Sequence, residues 1–360
     1  MDALKEMFNK SFYELLAMQL KKAAPTFHDK QFVKDVCLNI ETRSLNERMR
    51  YTSVVLKQYL SADYRKDLEV LKAVIQVMPG SYTNLLFPDY VAQFGKHDVK
   101  ASLEALKYFT QFGSSEFAIR VFLKLDFKAT IKVMEAWSKD KNQHVRRLAS
   151  EGSRPRLPWS FKLDEVIGNP SLTRNILTNL KSDTELYVRK SVANHLNDIS
   201  KEHPDYMLDL VSTWDVNNAQ TAWIIKHASR SLIKKGHSGT LSIFNFEKNP
   251  KLQIKNLRLT SSKIKLGESL CFDLEIISEK NKSQKLVVDY VIHYRKKLGD
   301  LSPKVFKLKE IDLAAGQSML MSKKQVMKDF TTRKHHAGEH LLEIQVNGKR
   351  LASKAFVLVV

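Results

Sequence analysis

The run His144 to Trp159, HVRRLASEGSRPRLPW, places four arginines, a carboxylate and a tryptophan close together in the chain. Such residues are poor core material and suit chemistry or contact with an anion. Arg146, Arg147, Arg154 and Arg156 carry guanidinium forks that match phosphate oxygens. Pro155 and Pro158 stiffen the loop holding the last two, so less entropy is lost when that loop is fixed. The competing use of these arginines is salt bridging to neighbouring helices. Phosphate contact is the preferred reading for Arg154 and Arg156, and for Arg146 and Arg147 neither use takes precedence. Glu151 stands among these cations, which favour its ionised form. A fixed anion beside a sugar can stabilise positive charge developing at the anomeric carbon or position a water for attack; its structural use is to hold the loop through an arginine. Trp159 offers either a rigid aromatic face for a sugar or an electron-poor base, or a plug between helical hairpins.

The elements that must position these groups are helical. From Leu4 to about Lys235 apolar residues recur at helical spacing, as in Phe8, Phe12, Leu15 and Leu16, then Val33, Val36 and Ile40, then Leu71, Val74, Ile75 and Met78. His-Val-Arg-Arg at 144–147 is echoed by Tyr-Val-Arg-Lys at 187–190, an offset of 43 within the range of HEAT-type repeats. Each such hairpin buries its apolar side by stacking on its neighbours, and the curved array that results suits a duplex. Residues 1–240 are therefore read as a HEAT-like helical domain.

Gly236-His-Ser-Gly239 reads as a helix stop and Asn245 to Pro250 as a linker. Beyond it the period changes to alternation: Leu270, Phe272, Leu274 and Ile276 on one strand, Val288, Tyr290, Ile292 and Tyr294 on another, and Leu342, Ile344 and Val346 before the turn Asn347-Gly348. Seven strands are expected, over 252–259, 269–277, 284–294, 305–312, 317–322, 340–346 and 354–360, giving an immunoglobulin-like sandwich over 250–360. The fold class is thus multidomain, an all-α array followed by an all-β sandwich. His335 and His336 beside Arg333 and Lys334 lack a third ligand at useful spacing and read as a solvated basic loop.

The formal charge is +20, and it is uneven: residues 241–360 carry 23 Lys and Arg against 12 Asp and Glu, the rest 36 against 27. This asymmetry points to a polyanionic partner. Cys37 and Cys271, the two cysteines, are far apart in stretches of different character, so neither a disulfide scaffold nor a cysteine metal site is indicated, and a reducing cytoplasm fits. The first twenty residues hold acids and no cleavable apolar run, and the closing FVLVV is too short to cross a bilayer, so neither export nor a membrane partner is expected.

Three runs in order, Glu116 to Arg120, His144 to Trp159, and Val188 to Ile199 followed by His203-Pro204-Asp205, resemble the AlkC branch of DNA alkylation repair glycosylases. The similarity extends over Trp223 to Gly236 and over the appended immunoglobulin-like domain of one subgroup. Val121 departs from the proline that follows Ile-Arg in that pattern. The resemblance implies a monofunctional glycosylase that hydrolyses the N-glycosidic bond of N3-methylated bases in alkylated duplex DNA, 3-methyladenine first and 3-methylcytosine second. It implies no metal, no other cofactor and no lysine Schiff base, with Glu116, Glu151 and Asp198 as the active-site acids and Trp159 as the aromatic residue. Arg120, His144, Arg146, Arg147, Arg154, Arg156, Arg189, Lys190, His195 and Arg230 become candidates for DNA contact on the helical domain, and Arg333, Lys334, Lys349 and Arg350 on the loops of a DNA-clasping sandwich. A monomer with no obligate protein partner, working on nucleoid DNA in the cytoplasm, is the matching expectation. The alternative is a non-enzymatic polyanion-binding adaptor, which has no need of a glycosylase signature.

Overall fold

A computed structural model describes residues 2–330 and 333–360. The chain divides into two compact units, Met1–Ala228 and Ser229–Val360. The first is all-α. Its stripes turn inward as their spacing predicts: Phe8 and Leu16 are enclosed with Phe12 and Leu15 half-buried beside them, Val36 is enclosed and Val33 and Ile40 half-buried, and Leu71, Val74 and Ile75 on the helix Tyr64–Val77 are enclosed, as is Met78 just after it.

Successive hairpins of this unit are tied by a recurring ion pair. Arg65 reaches Asp98, Lys107 reaches Asp140 and Arg146 reaches Asp183, each at 2.6 Å. Each acid sits just ahead of a helix and also fixes its own turn, Asp98 accepting from Ala101 N–H, Asp140 from Asn142 N–H and Asp183 from Glu185 N–H. A cation on one hairpin thus grips the helix entrance of the next. The 43-residue offset has a physical counterpart as well. Arg146 donates to the carbonyls of Asp140 and Lys141, and Arg189 donates to those of Asp183 and Thr184, so both guanidiniums close the loop before their own helix.

The second unit contains two sheets. β1 (Leu252–Leu259), β3 (Ser269–Ser278) and β6 (Ser318–Val326) form one, in the order β1-β3-β6. β2 (Lys263–Lys265), β8 (Lys349–Val359), β7 (Gly338–Val346), β4 (Gln284–Arg295) and β5 (Leu301–Leu313) form the other, in that order. Leu270, Phe272, Leu274 and Ile276 pack with Val288, Tyr290, Ile292, Leu342, Ile344 and Val346 in one core, as in an immunoglobulin-like sandwich. Asn347 and Gly348 both have positive φ, 46° and 85°, the backbone of a two-residue hairpin turn.

The structure differs from the sequence reading in strand bounds, since β5 starts at Leu301, β6 runs on to Val326 and β8 starts at Lys349 directly after the turn, and in three further places. β2 is an eighth strand, three residues flanked by lysines, pairing parallel with β8. Residues 245–250 are no free linker: Phe246 is buried with Ile233, Leu241 and Val287, and Asn347 Nδ2 donates to the Glu247 carbonyl at 2.7 Å. The helices Arg230–Lys235 and Ser238–Ile243 group with the strands. The Ile233 and Phe246 cluster covers Val287 on the reverse face of β4, which helps explain why that strand is buried on both faces beyond its alternating pattern. Among the described residues no helix is long and apolar enough to cross a membrane.

Candidate active site

Three acids far apart in sequence meet in the helical unit. Glu116 lies in the turn before the helix Ile119–Leu125, Glu151 in the last turn of the helix Gln143–Gly152, and Asp198 in the last turn of the helix Leu186–Ile199. They join an unbroken chain of alternating charge. Arg147 pairs with Glu116 and lies 3.7 Å from Glu151. Arg154 donates to Glu151 from Nη1 at 2.6 Å, and to one oxygen of Asp198 from Nε at 2.9 Å and Nη2 at 2.8 Å. Lys201 completes the series on the other Asp198 oxygen at 3.1 Å. Glu151 and Asp198 are 6% and 3% exposed, so leaving either charge without its cation is costly. Burial lowers the proton affinity of Arg147 and Arg154, but the facing carboxylates outweigh it and hold both guanidiniums more firmly charged than usual.

The loop after Gly152 is set by Arg120, which is fully enclosed and donates to the carbonyls of Gly152 at 2.9 Å, Arg154 at 2.7 Å and Phe161. Desolvation and the Arg154 charge pull Arg120 down to about 10. It has no surface for a phosphate; its work is to hold the loop that presents Trp159. That residue has φ +65°, a region unfavourable to a bulky side chain, and is 63% exposed. Leu157, 4% exposed, is the plug that the sequence left open for Trp159.

Two clefts flank the Trp159 ring. One, about 410 Å³, is lined by Glu116, Glu151, Arg147, Arg154, Tyr82 and Tyr187 among others; the second, about 370 Å³, has Met49, Pro88, Val121 and Phe161 on its wall together with Glu47, Arg50 and Asp89. Glu116 and Glu151 face the first cleft directly, whereas Asp198 does not line it. Val121, in the place of the family's proline, donates its N–H to Ala118, a bond a proline lacks.

The arginines do not form one open patch. Arg146 is committed to Asp183 and two carbonyls, Arg147 and Arg154 to the acids, and Arg156 to Glu202 at 2.5 Å on the exposed side of the loop. Arg189 is spent on its loop carbonyls beside the Trp223 ring. The buried His195 ring bonds the Ser150 carbonyl at 3.0 Å and is held neutral: desolvation, with Arg154, lowers it to about 3. His144 is half-buried against Tyr187, and burial lowers it too. Lys190 is exposed, and Arg230 is half-buried in the second unit. There Lys334 and Lys349 are exposed, Arg333 stacks on Tyr294 at 4.5 Å, and Arg350 is paired with Glu343.

Tyr82, Phe117, Tyr187 and Lys201 escaped the sequence reading as site residues. Tyr187 carried a signal, since it occupies the position of His144 in the second repeat copy and the two rings meet at 5.6 Å. Among the described residues no group of three His, Cys, Asp or Glu is placed to hold a metal ion, and the three acids face guanidiniums and an ammonium.

A helical-repeat array that gathers carboxylates beside an exposed aromatic ring, joined to an immunoglobulin-like unit, defines a class of DNA repair protein. Residues 104–232 match the family described as DNA alkylation repair enzyme, and residues 253–360 the family described as Uncharacterised protein YhaZ, C-terminal Ig-like domain. Over 99% of its length and 99% of that chain, the protein is 46% identical to the alkylpurine DNA glycosylase AlkC of Pseudomonas fluorescens, solved bound to DNA containing an abasic site analog, with a TM-score of 0.95. It is 40% identical over 347 residues, 96% of each chain, to the Uncharacterized protein YhaZ of Bacillus subtilis (strain 168). The chain belongs to the AlkC family of DNA alkylation repair glycosylases.

Proposed function

We propose that the protein is a monofunctional DNA glycosylase that hydrolyses the N-glycosidic bond of N3-methylated bases in duplex DNA, releasing 3-methyladenine and, as a second product, 3-methylcytosine. The observation that carries this is the meeting of Glu116, Glu151 and Asp198 around Arg147 and Arg154, next to the exposed Trp159. Methylation at N3 leaves the base cationic and already a good leaving group, so the need for a general acid is small. What the site must supply is fixed negative charge for the oxocarbenium-like sugar, a placed water and an exposed nucleotide. Buried carboxylates held by guanidiniums supply the first without reorganisation, and Trp159 supplies a face that favours a cationic base.

Lys190 on the helical unit and Lys334, Lys349 and the partly committed Arg333 and Arg350 on the sandwich are the phosphate contacts we assign, in keeping with the charge excess of residues 241–360. The protein then works as a monomer on chromosomal DNA, the nucleoid being its place of action. Chromatography of bases released from methylated duplex DNA in the presence of a chelator tests the assignment. Release of 3-methyladenine is the expected result. Folded protein that binds DNA and releases no base instead identifies a polyanion-binding adaptor.

A further inference from the structure

At one end of the immunoglobulin-like unit a pocket of about 310 Å³ is lined by Arg295, Lys296, Lys304, Arg333, Lys334 and His336, with Tyr294, Ser302 and Pro303 completing it and no carboxylate on its wall among the described residues. Its cations come from three separate segments: the end of β4, the start of β5 and the loop ahead of β7. That loop is fixed. Phe330 and Arg333 exchange two backbone hydrogen bonds at 2.9 and 3.0 Å. Asp329 Oδ1 accepts from the His335 N–H at 2.8 Å and lies 3.1 Å from its ring nitrogen, while the buried His335 ring packs on Tyr294. The Arg333 guanidinium lies over the Tyr294 ring, which limits its freedom before any ligand arrives. Partial desolvation, followed by the charges of Arg333 and Lys234, pulls the Lys304 ammonium below its ordinary range. Like charges held together without an anion are relieved by one, and a preformed set of donors binds it with little ordering cost.

We propose that this pocket is a discrete oxyanion site that takes a single phosphate group, supplied either by a DNA phosphodiester or by free inorganic phosphate. The first source rests on the DNA-binding reading above; the second does not. Arg333 supplies the fork, Lys304 and Lys334 the point charges, and His336 a ring N–H donor.

The test uses the full chain and two double variants, Lys304→Ala with Arg333→Ala, and Lys296→Ala with Lys334→Ala, each checked for fold by circular dichroism. Inorganic phosphate is titrated calorimetrically into each protein, and affinity for unmodified duplex is followed against salt. For a DNA phosphate, each double variant lowers the salt slope by up to about 0.9, because one neutralised phosphate fewer releases about one counterion fewer. Phosphate binding to the wild type that weakens at least about tenfold in the variants, about 1.4 kcal/mol, with an unchanged slope, assigns the site to free phosphate. Unchanged slope together with phosphate binding that is absent or unaffected by both variants overturns the proposal. Base release at saturating methylated DNA is measured in parallel. Its loss in the wild type strikes the glycosylase reading and leaves the oxyanion result standing.

Discussion

Arg154 grips Asp198 from 44 positions away, two of its nitrogens on one carboxylate oxygen, and with its remaining Nη1 it holds Glu151. One guanidinium therefore fixes the spacing of two acids on different helices, a task that a single ammonium cannot perform. Arg154→Lys keeps the charge and loses the fork. The expected result is a fall in single-turnover base release of roughly 10 to 100-fold, the scale of an ångström-level misplacement in an active site. The salt slope of DNA binding stays as in the wild type. A reduced slope with an intact rate means that Arg154 contacts phosphate instead.

Glu151 is the acid with both a place on the cleft wall and two arginine neighbours. Glu151→Gln preserves shape while removing charge, and single-turnover release should drop by about 10² to 10³, the range found when one fixed electrostatic group is removed. Binding to duplex with an uncharged abasic site should be unaffected or tighter, since a negative charge near the backbone has gone. Asp198→Asn should lose rate as well, with an added stability loss of about 1 to 3 kcal/mol because Arg154 and Lys201 both lose an ionised acceptor.

Trp159 is mostly exposed, and Leu157 does the interior packing. Trp159→Ala should therefore leave the urea midpoint nearly unchanged, within about 0.5 kcal/mol in stability. It should weaken binding to damaged duplex by about 1 to 3 kcal/mol, the usual worth of a base on an aromatic platform. A large loss of stability contradicts the exposed placement.

The types of residue in the signature were legible in the sequence, but their partners were not. The segment 144–159 pointed to Glu151 and Trp159, and family resemblance added Glu116 and Asp198, which the structure brings to one chain of charge. A guanidinium, however, looks the same in sequence whether it meets a phosphate or an aspartate. Arg146 found Asp183 through hairpin stacking, a contact 37 positions away that no local spacing encodes. Arg120 disappeared into the core because three carbonyls of a tight loop needed a donor. In the sandwich, alternation located the long strands, while β2 was hidden by its three-residue length and Phe246 by its polar surroundings.

His195 makes stability depend on pH in a definite direction. Its folded value of about 3 lies below the ordinary 6.5, so between these limits the unfolded chain binds a proton that the folded chain does not. The stability associated with the neutral ring is complete above the unfolded value and is lost as pH falls from it toward the folded one, by about 1.4 kcal/mol for each pH unit well inside that window. Urea unfolding at about pH 7, 5.5 and 4.5 should show a wild-type slope steeper by nearly one proton than that of His195→Asn, whose amide can still donate to the Ser150 carbonyl. Parallel slopes contradict a buried neutral imidazole.

Arg146 and Lys190 occupy comparable stretches of the repeat and should fail in opposite ways. Arg146 is half-buried against Asp183, whose side chain is 5% exposed, so Arg146→Ala leaves that carboxylate without its cation and two loop carbonyls without a donor. A loss of about 1 to 3 kcal/mol is expected, the cost of leaving a partly enclosed charged or polar group unsatisfied. At a temperature where the variant is folded, its salt slope for duplex binding should match the wild type. Lys190→Ala touches an exposed side chain, so its unfolding midpoint should not move. If Lys190 meets a phosphate, its removal lowers the salt slope by about 0.9. Paired urea unfolding and salt-dependent binding titrations separate the two residues. A stable Arg146→Ala protein with a shallower slope reverses the assignment, placing Arg146 on DNA and removing it from the ladder that holds successive hairpins together.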